Sequence, residues 1–402
     1  MLNSFPHILP AEYQTRASRL LEYARDHQLD GIVLFDAFHI QYLTGSALFP
    51  TERPIAFAMS LEGVRGLLVP RLEWEHAQAQ AESTVEEFVS YPEYPGDPHP
   101  MLHLKDLLAR LGIRGRIGVD ANGYPPAFGY VGPSLSSLAG DEVVIIYPFV
   151  DRLMMVKSAT EIELLRESAK WCNLAHRLLQ KYTRAGARET EVSLRATAEA
   201  TLAVMEALGP NYHAKSLEPG SNGPRVFYRG QIGRSAALPH AQASNVEFLA
   251  GDVLVSGTHC PMWGYDTELE RTMFIGEPSR DQKRFFFHMK ALQETAFDAL
   301  KPGVRCADVD SAVHAYYEKN DLVPYWRHHT GHGLGLRSHE APFLDTGDST
   351  VLEPGMVLSV EPGLYVPGLG GFRNSDSALI TDHGMELLTD YPRELADLIL
   401  PV

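Results

Sequence analysis

Several features that would narrow the class of protein are scarce in this chain of 402 residues. Cysteine occurs only at Cys172, Cys260 and Cys306, without CxxC pairs, so we expect neither a disulfide framework nor a cysteine-ligated zinc site. No segment approaches the ~20 apolar residues of a membrane helix, and the first residues lack the basic and apolar regions of a signal peptide. These absences predict a cytoplasmic protein that does not bind membranes.

Positive charge is also outnumbered. Lysine and arginine total 35 against 51 aspartate and glutamate residues, which gives a formal net charge of −16. Such an acidic excess disfavours a nucleic-acid partner and an anionic membrane surface. The chain is too long for one ordinary hydrophobic core, so two domains are expected.

The first 150 residues predict alternating helices and strands. Helical patterns cover 10–29, 73–81 and 103–111, and apolar runs predict strands at 31–35, 56–60, 66–70, 116–120 and 142–149. This alternation is typical of an α/β domain. A capping box, Ser158 with Glu161, then predicts the start of a long helix. We place the domains at 1–155 and 156–402.

The second domain predicts α+β structure, because its helices are separated by segments rich in His, Gly and Pro. Helices are predicted at 190–208, from a second capping box at Ser279 and Gln282 as far as Lys301, and at 307–319. The segments between them are where we expect functional residues.

Acidic and histidine side chains recur in four of these segments. They are His240 after Pro239, Glu268 and Glu270 in YDTELERT, His332, His339 and Glu340 in HGLGLRSHEAP, and Glu361 in MVLSVEPG. Glu268 and Glu270 point to one face if their segment is extended, and such a pair requires a cation beside it. Each residue alone is more often structural, but together they supply what general acid–base or metal-assisted hydrolysis requires.

In the order of these motifs the chain resembles the pita-bread family, which includes creatinase, prolidase, aminopeptidase P and methionine aminopeptidase. Further matching motifs are Val156-Lys157-Ser158 and Gly264-Tyr265, and the resemblance covers nearly the whole chain. It implies a creatinase-type α/β N-terminal domain followed by an α+β pita-bread catalytic domain. It also implies a homodimer in which the N-terminal domain of one chain borders the cleft of the other.

The metallopeptidases of this family hold two metal ions with Asp, Asp, His, Glu and Glu. The resemblance puts these ligand positions at Gly257, Glu268, His332, Glu361 and Ser375. Neither glycine nor a neutral serine replaces a carboxylate as a ligand of hard cations. We therefore expect no dinuclear centre and no cofactor. The alternative is a single Zn or Mn ion on Glu268, His332 and Glu361.

Creatinase works without metal and shares the LERT ending of the acidic segment, so the resemblance favours a creatinase-like hydrolase. It would cleave a C–N bond of a small guanidino, amidine or amide substrate that carries a carboxylate. The implied catalytic residues are His240, Glu270, Glu361 and His339, with His240 as the proton-transfer residue. The implied substrate-binding residues are Arg53, Glu268, His332 and Glu340. Taken alone, Arg53 is either a solvated charge or a clamp for a carboxylate.

Two alternatives remain open at this point. The first is an Xaa-Pro dipeptidase or aminopeptidase with one atypical metal ion, acting on short peptides. The second is a non-catalytic module that binds a peptide or a protein partner in the same cleft.

Overall fold

The structure is a computed structural model that describes residues 5–81, 83–140, 142–217 and 222–402. Its contacts divide the chain into two compact units. The N-terminal unit consists chiefly of residues 7–154, and the C-terminal unit chiefly of 155–216 and 222–402. No helix in the described ranges combines the length and the apolar character needed to cross a membrane.

The N-terminal unit contains one six-stranded mixed sheet in the order β4-β3-β2-β1-β5-β6. Its strands are β1 (Gly31–Leu34), β2 (Ala56–Ser60), β3 (Arg65–Pro70), β4 (Glu87–Tyr91), β5 (Arg116–Val119) and β6 (Glu142–Ile145). Its helices are α1 (Pro10–Asp26), α2 (Ala37–Thr44), α3 (Trp74–Ala81), α4 (Pro100–Leu111), α5 (Leu135–Ala139) and α6 (Tyr147–Met155). Strands β1, β2 and β3 are buried along their whole length, which confirms the α/β prediction.

Two predictions for this unit were incomplete. The strand expected at 142–149 ends at Ile145, and α6 starts at Tyr147. Pro148 suits the first turn of a helix, where no backbone N–H is needed, and this signal was outweighed by the apolar run. Strand β4 was missed because it is a partly exposed edge strand that carries polar residues such as Glu87 and Ser90.

The C-terminal unit mixes four long helices with short strands. The helices are α7 (Ala159–Tyr182), α8 (Glu189–Leu208), α9 (Arg280–Ala299) and α10 (Cys306–Lys319). The strands are β7 (Arg225–Phe227), β8 (Val253–Val255), β9 (Gly257–His259), β10 (Glu268–Leu269), β11 (Thr272–Ile275), β12 (Gly331–Gly333), β13 (Glu340–Leu344), β14 (Val357–Val360), β15 (Gly363–Val366), β16 (Gly370–Arg373), β17 (Asp376–Thr381), β18 (Gly384–Leu387) and β19 (Ile399–Leu400). This arrangement confirms the α+β prediction.

The strands of this unit form several small sheets. A five-stranded sheet runs β13-β12-β14-β17-β18, and two three-stranded sheets run β10-β9-β7 and β19-β11-β8. Both predicted capping boxes are present. The Ser158 hydroxyl accepts from the N–H of Glu161, and the Ser279 hydroxyl accepts from that of Gln282, so α7 and α9 begin where the sequence predicts.

Candidate active site

Three predicted carboxylates meet where several of these short strands end. Glu268 lies on β10, Glu270 follows it, and Glu361 follows β14. Oxygen atoms of the three side chains lie within 4.8 Å of one another, and all three residues are buried. Buried carboxylates this close repel one another unless positive charge compensates them, so the cations around them determine the chemistry of the site.

The first cation is Arg373, which the sequence analysis missed. Its Nε and Nη2 atoms donate to the two carboxylate oxygens of Glu270, with Nη2–Oε1 at 2.6 Å. Its Nε also lies 3.7 Å from Glu361 Oε2. Such a bidentate pair is the strongest geometry between a guanidinium and a carboxylate. Arg373 is 3% exposed, so little water screens this pair.

A short chain of hydrogen bonds holds Arg373 from its other side. Its Nη1 donates to the hydroxyl of Tyr365 over 2.9 Å. Nδ1 of His328 faces the carbonyl of His329 at 2.9 Å, and a carbonyl only accepts, so Nδ1 carries the proton. The hydroxyl of Tyr365 therefore donates to Nε2 of His328, which is 2.8 Å away.

The second cation is His332, whose Nε2 lies 3.1 Å from Glu361 Oε1. Burial alone would lower the pKa of His332, but Glu361 and Glu268 raise it to about 9. Burial would likewise raise the pKa of Glu361, yet His332 and Arg373 hold it well below its usual range. Near neutral pH these two side chains therefore form a charged pair.

His339 is the exposed member of the site. Its ring stacks on that of His332, with centroids 3.7 Å apart and planes inclined by 18°. Partial burial and the charge on His332 lower the pKa of His339. His339 is therefore a neutral imidazole at neutral pH, which is the form that accepts a proton.

The pKa of Glu270 is raised to about 7, chiefly by burial and also by the charges of Glu268 and Glu361. Arg373 acts in the opposite direction and lowers this pKa. Arg373 is thus the group that keeps this carboxyl from holding its proton to still higher pH.

The ligand positions of a dinuclear metal centre do not fit this site. A Cβ atom placed on Gly257 would lie 2.8 Å from the Phe227 ring and 3.4 Å from Glu270 Oε1, so the space for a side chain is already filled. The Ser375 hydroxyl is buried, has no hydrogen-bond partner among the described residues, and is neutral. Two of the five ligand positions of a dinuclear centre therefore lack a carboxylate.

A single metal ion is compatible with the donor atoms, but with a different set from the predicted one. Donor atoms of Glu268, His332 and His339 lie within 4.8 Å of one another, whereas Glu361 groups with Glu268 and Glu270. The predicted trio of Glu268, His332 and Glu361 is therefore split between two groups. One carboxylate and two imidazoles are one of the common ligand sets of Zn in catalytic sites.

The remaining predicted residues lie outside this cluster. His240 is on an exposed turn, and no described contact joins it to the carboxylates. Glu340 is buried and pairs with Lys157, with Nζ and Oε1 2.5 Å apart, which favours a structural role over substrate binding. Arg53 belongs to the N-terminal unit, where it pairs with Glu93 and Glu52. The functional roles of these residues remain predictions.

Two family profiles cover most of the chain. The profile of Metallopeptidase family M24 matches residues 163–382, and that of the Creatinase/Prolidase N-terminal domain matches residues 16–156. The chain therefore belongs to metallopeptidase family M24. This confirms the family and the two-part fold class that the sequence motifs predicted.

Individual relatives align over nearly the full length. The probable dipeptidase PepE of Mycobacterium tuberculosis is 29% identical over 97% of both chains, and the Xaa-Pro dipeptidase of Pyrococcus furiosus is 26% identical over 94% of this chain and 99% of its own. Among solved structures, dipeptidase PepE from Mycobacterium ulcerans matches with a TM-score of 0.79 at 26% identity, covering 98% of this chain and all of its own. The chain is similar to these proteins from end to end.

Proposed function

We propose that this protein hydrolyses a C–N bond in a small substrate of about dipeptide size. Membership of a peptidase family and full-length similarity to dipeptidases and an Xaa-Pro dipeptidase support this function. These relatives favour the peptidase alternative over the creatinase-like interpretation with a guanidino or amidine substrate. A free dipeptide carries one ammonium and one carboxylate group.

The observation that carries the proposal is a neutral, exposed imidazole stacked on a charged, buried one. His339 accepts a proton from the attacking water and returns it to the leaving nitrogen. His332, whose Nδ1 donates to the carbonyl of Gly333 and whose Nε2 lies 3.1 Å from Glu361, supplies positive charge that stabilises the oxyanion as it develops. The hydroxide from this water adds to the carbonyl carbon, the C–N bond then breaks, and the proton held by His339 goes to the leaving nitrogen, so water is the only co-reactant of the hydrolysis.

Glu268 is suited to binding the positive end of the substrate. It is buried, and its Oε1 atom has no hydrogen-bond partner among the described residues. The other two carboxylates of the cluster already have cationic partners, Arg373 and His332. A buried carboxylate oxygen without a hydrogen-bond partner is costly, so an ammonium group that donates to this oxygen would be bound with specificity.

A second candidate is an Xaa-Pro dipeptidase with one divalent metal ion on Glu268, His332 and His339. The proximity of their donor atoms and the family's description as metallopeptidases support it. A Zn or Mn ion there would activate water as a Lewis acid. His339 would then be a ligand instead of a base, so the two candidates differ in a testable way.

One experiment separates the candidates. Xaa-Pro dipeptides, other dipeptides and guanidino acids are assayed with the chain in excess chelator and after addition of Mn or Zn. Dipeptide turnover that persists in chelator supports the first candidate, with His339 as the base, and turnover that appears only with metal supports the second candidate. If only guanidino acids are cleaved, the creatinase-like interpretation is right. Tight peptide binding without any turnover would identify a binding module.

The base is tested by a matched pair of histidine variants. We expect His339→Gln to lower kcat by 10²–10⁴-fold, the usual contribution of a general base. His240→Gln is the comparison, because His240 was the predicted proton-transfer residue. A larger loss in His240→Gln than in His339→Gln would reverse the assignment.

The expected homodimer remains a prediction that a sedimentation measurement would test.

A further inference from the structure

Glu270 lies across a strand pair from Gly257, the position where the family carries its first metal-binding Asp. Strands β9 and β10 are antiparallel, with Glu268 opposite His259 and Leu269 opposite Thr258. The next step of this register puts Glu270 opposite Gly257, and directly opposite residues share one face of a sheet. The carboxylate missing from one strand is thus supplied by the other.

The side chain of Glu270 lies next to Gly257, beside the Phe227 ring. Its Oε1 atom would lie 3.4 Å from a Cβ at position 257, in ordinary van der Waals contact. Both oxygens of Glu270 accept hydrogen bonds from Arg373. The guanidinium therefore already occupies the position from which a metal ion would bind this carboxylate.

Arg373 is held firmly enough to be a fixed part of the site. Its Nη1 is bound by Tyr365, which is bound in turn by His328. Its Nε atom lies 3.7 Å from Oε2 of Glu361, a second carboxylate of the cluster. One guanidinium thus faces two carboxylates, which is also what a bridging metal ion does.

We propose that Arg373 is the resident cation of this site and takes the place of one metal ion between Glu270 and Glu361. Guanidinium has a permanent charge and rigid donors, so the site is preformed at any metal concentration. The proposal does not depend on the identity of the substrate. It leaves room for one metal ion at most, at the opposite side of the cluster near His332 and His339.

The test is metal binding by the full chain, measured by calorimetry with Mn²⁺ after dialysis against chelator. Arg373→Gln removes the charge and frees both carboxylates, so we expect it to bind one more Mn²⁺ per chain than the wild type. Its melting temperature should fall in chelator and rise again with Mn²⁺. Arg373→Lys keeps a cation and should bind as the wild type does. If Arg373→Gln binds the same number of ions as the wild type, the proposal is wrong.

Arg271→Gln is the matched control. Arg271 is equally buried and pairs with Asp376 at 2.8 Å, but it follows Glu270 directly and so points to the other face. Its loss should destabilise the chain without adding a metal site.

A second measurement applies even if Arg373→Gln fails to fold. Glu270→Gln in the otherwise unchanged chain should leave Mn²⁺ binding as it was, because Arg373 already occupies this carboxylate. A tenfold or greater loss of Mn²⁺ affinity would overturn the proposal. Because all of these readouts are binding and melting, a failure of the turnover assays above leaves them interpretable.

Discussion

Removing one partner of the Lys157–Glu340 pair is expected to destabilise the C-terminal unit strongly. Nζ of Lys157 and Oε1 of Glu340 are 2.5 Å apart, and the two side chains are 1% and 4% exposed. Lys157→Met leaves the carboxylate buried without its charged partner, and Glu340→Gln does the same to the ammonium. Breaking a buried pair from one side costs about 3–5 kcal/mol.

For a unit of this size, such a loss lowers the melting temperature by on the order of 10 °C. Urea unfolding followed by tryptophan fluorescence measures it, because the C-terminal unit contains three of the four tryptophans. These are Trp171, Trp263 and Trp326. The double variant Lys157→Met/Glu340→Gln should be more stable than the sum of the single effects predicts, because no unpaired charge remains buried.

Two results would refute this reasoning. Arg166→Met breaks a half-exposed pair with Glu386 and should cost at most about 1 kcal/mol, so an equal loss there would mean that burial is not the cause. If Glu340 binds substrate, Glu340→Gln will raise KM far more than Lys157→Met does. We expect the two variants to change KM alike.

Three further outcomes are expected. Glu268→Gln should raise KM at least tenfold for dipeptides with a free amino group, and hardly for their N-acetylated forms, since Glu268 Oε1 has no partner among the described residues. Burial lowers the pKa of His176 well below 6.5, so below pH 6.5 the unfolded state binds more protons than the folded state. The free energy of unfolding therefore decreases by up to about 1.4 kcal/mol for each unit by which the pH is lowered. The free energy of unfolding of His176→Gln should lack this dependence between pH 5 and 7. His383→Gln, a substitution of an exposed histidine, should retain it. Gly257→Ala should lower the melting temperature, since its Cβ would lie 2.8 Å from the Phe227 ring, by a stability loss of about 1–3 kcal/mol.

Local sequence patterns predict some of the helix boundaries and part of the candidate site. The Ser158–Glu161 capping box locates the start of α7, because both of its hydrogen bonds join residues three positions apart. The shared face of Glu268 and Glu270 is predicted in the same way, because it depends only on the alternation of side chains along a strand. Family motifs then place His332 and Glu361 near them, although their sequence separation is large.

Arg373 could not be found in this way. It lies 103 positions from Glu270, and an arginine in a glycine-rich strand gives no local sign that it will be buried. The ion pair of Glu340 was equally invisible in the sequence, because its partner Lys157 is 183 positions away. Long-range ion pairs of this kind depend on which strands meet, and single-residue patterns do not contain that information.

Family membership and metal chemistry therefore depend on different features of this protein. The fold requires only that the strands and helices pack as they do in other M24 proteins. It does not require a carboxylate at position 257. The metal site needs five particular side chains, and it is altered by changes that leave the backbone intact. Glu270, opposite Gly257, gives this strand pair a second carboxylate beside Glu268, whereas Ser375 leaves the site with three carboxylates instead of the family's four. A chain can thus remain in a metallopeptidase family while a guanidinium takes over part of the charge that a metal ion would carry.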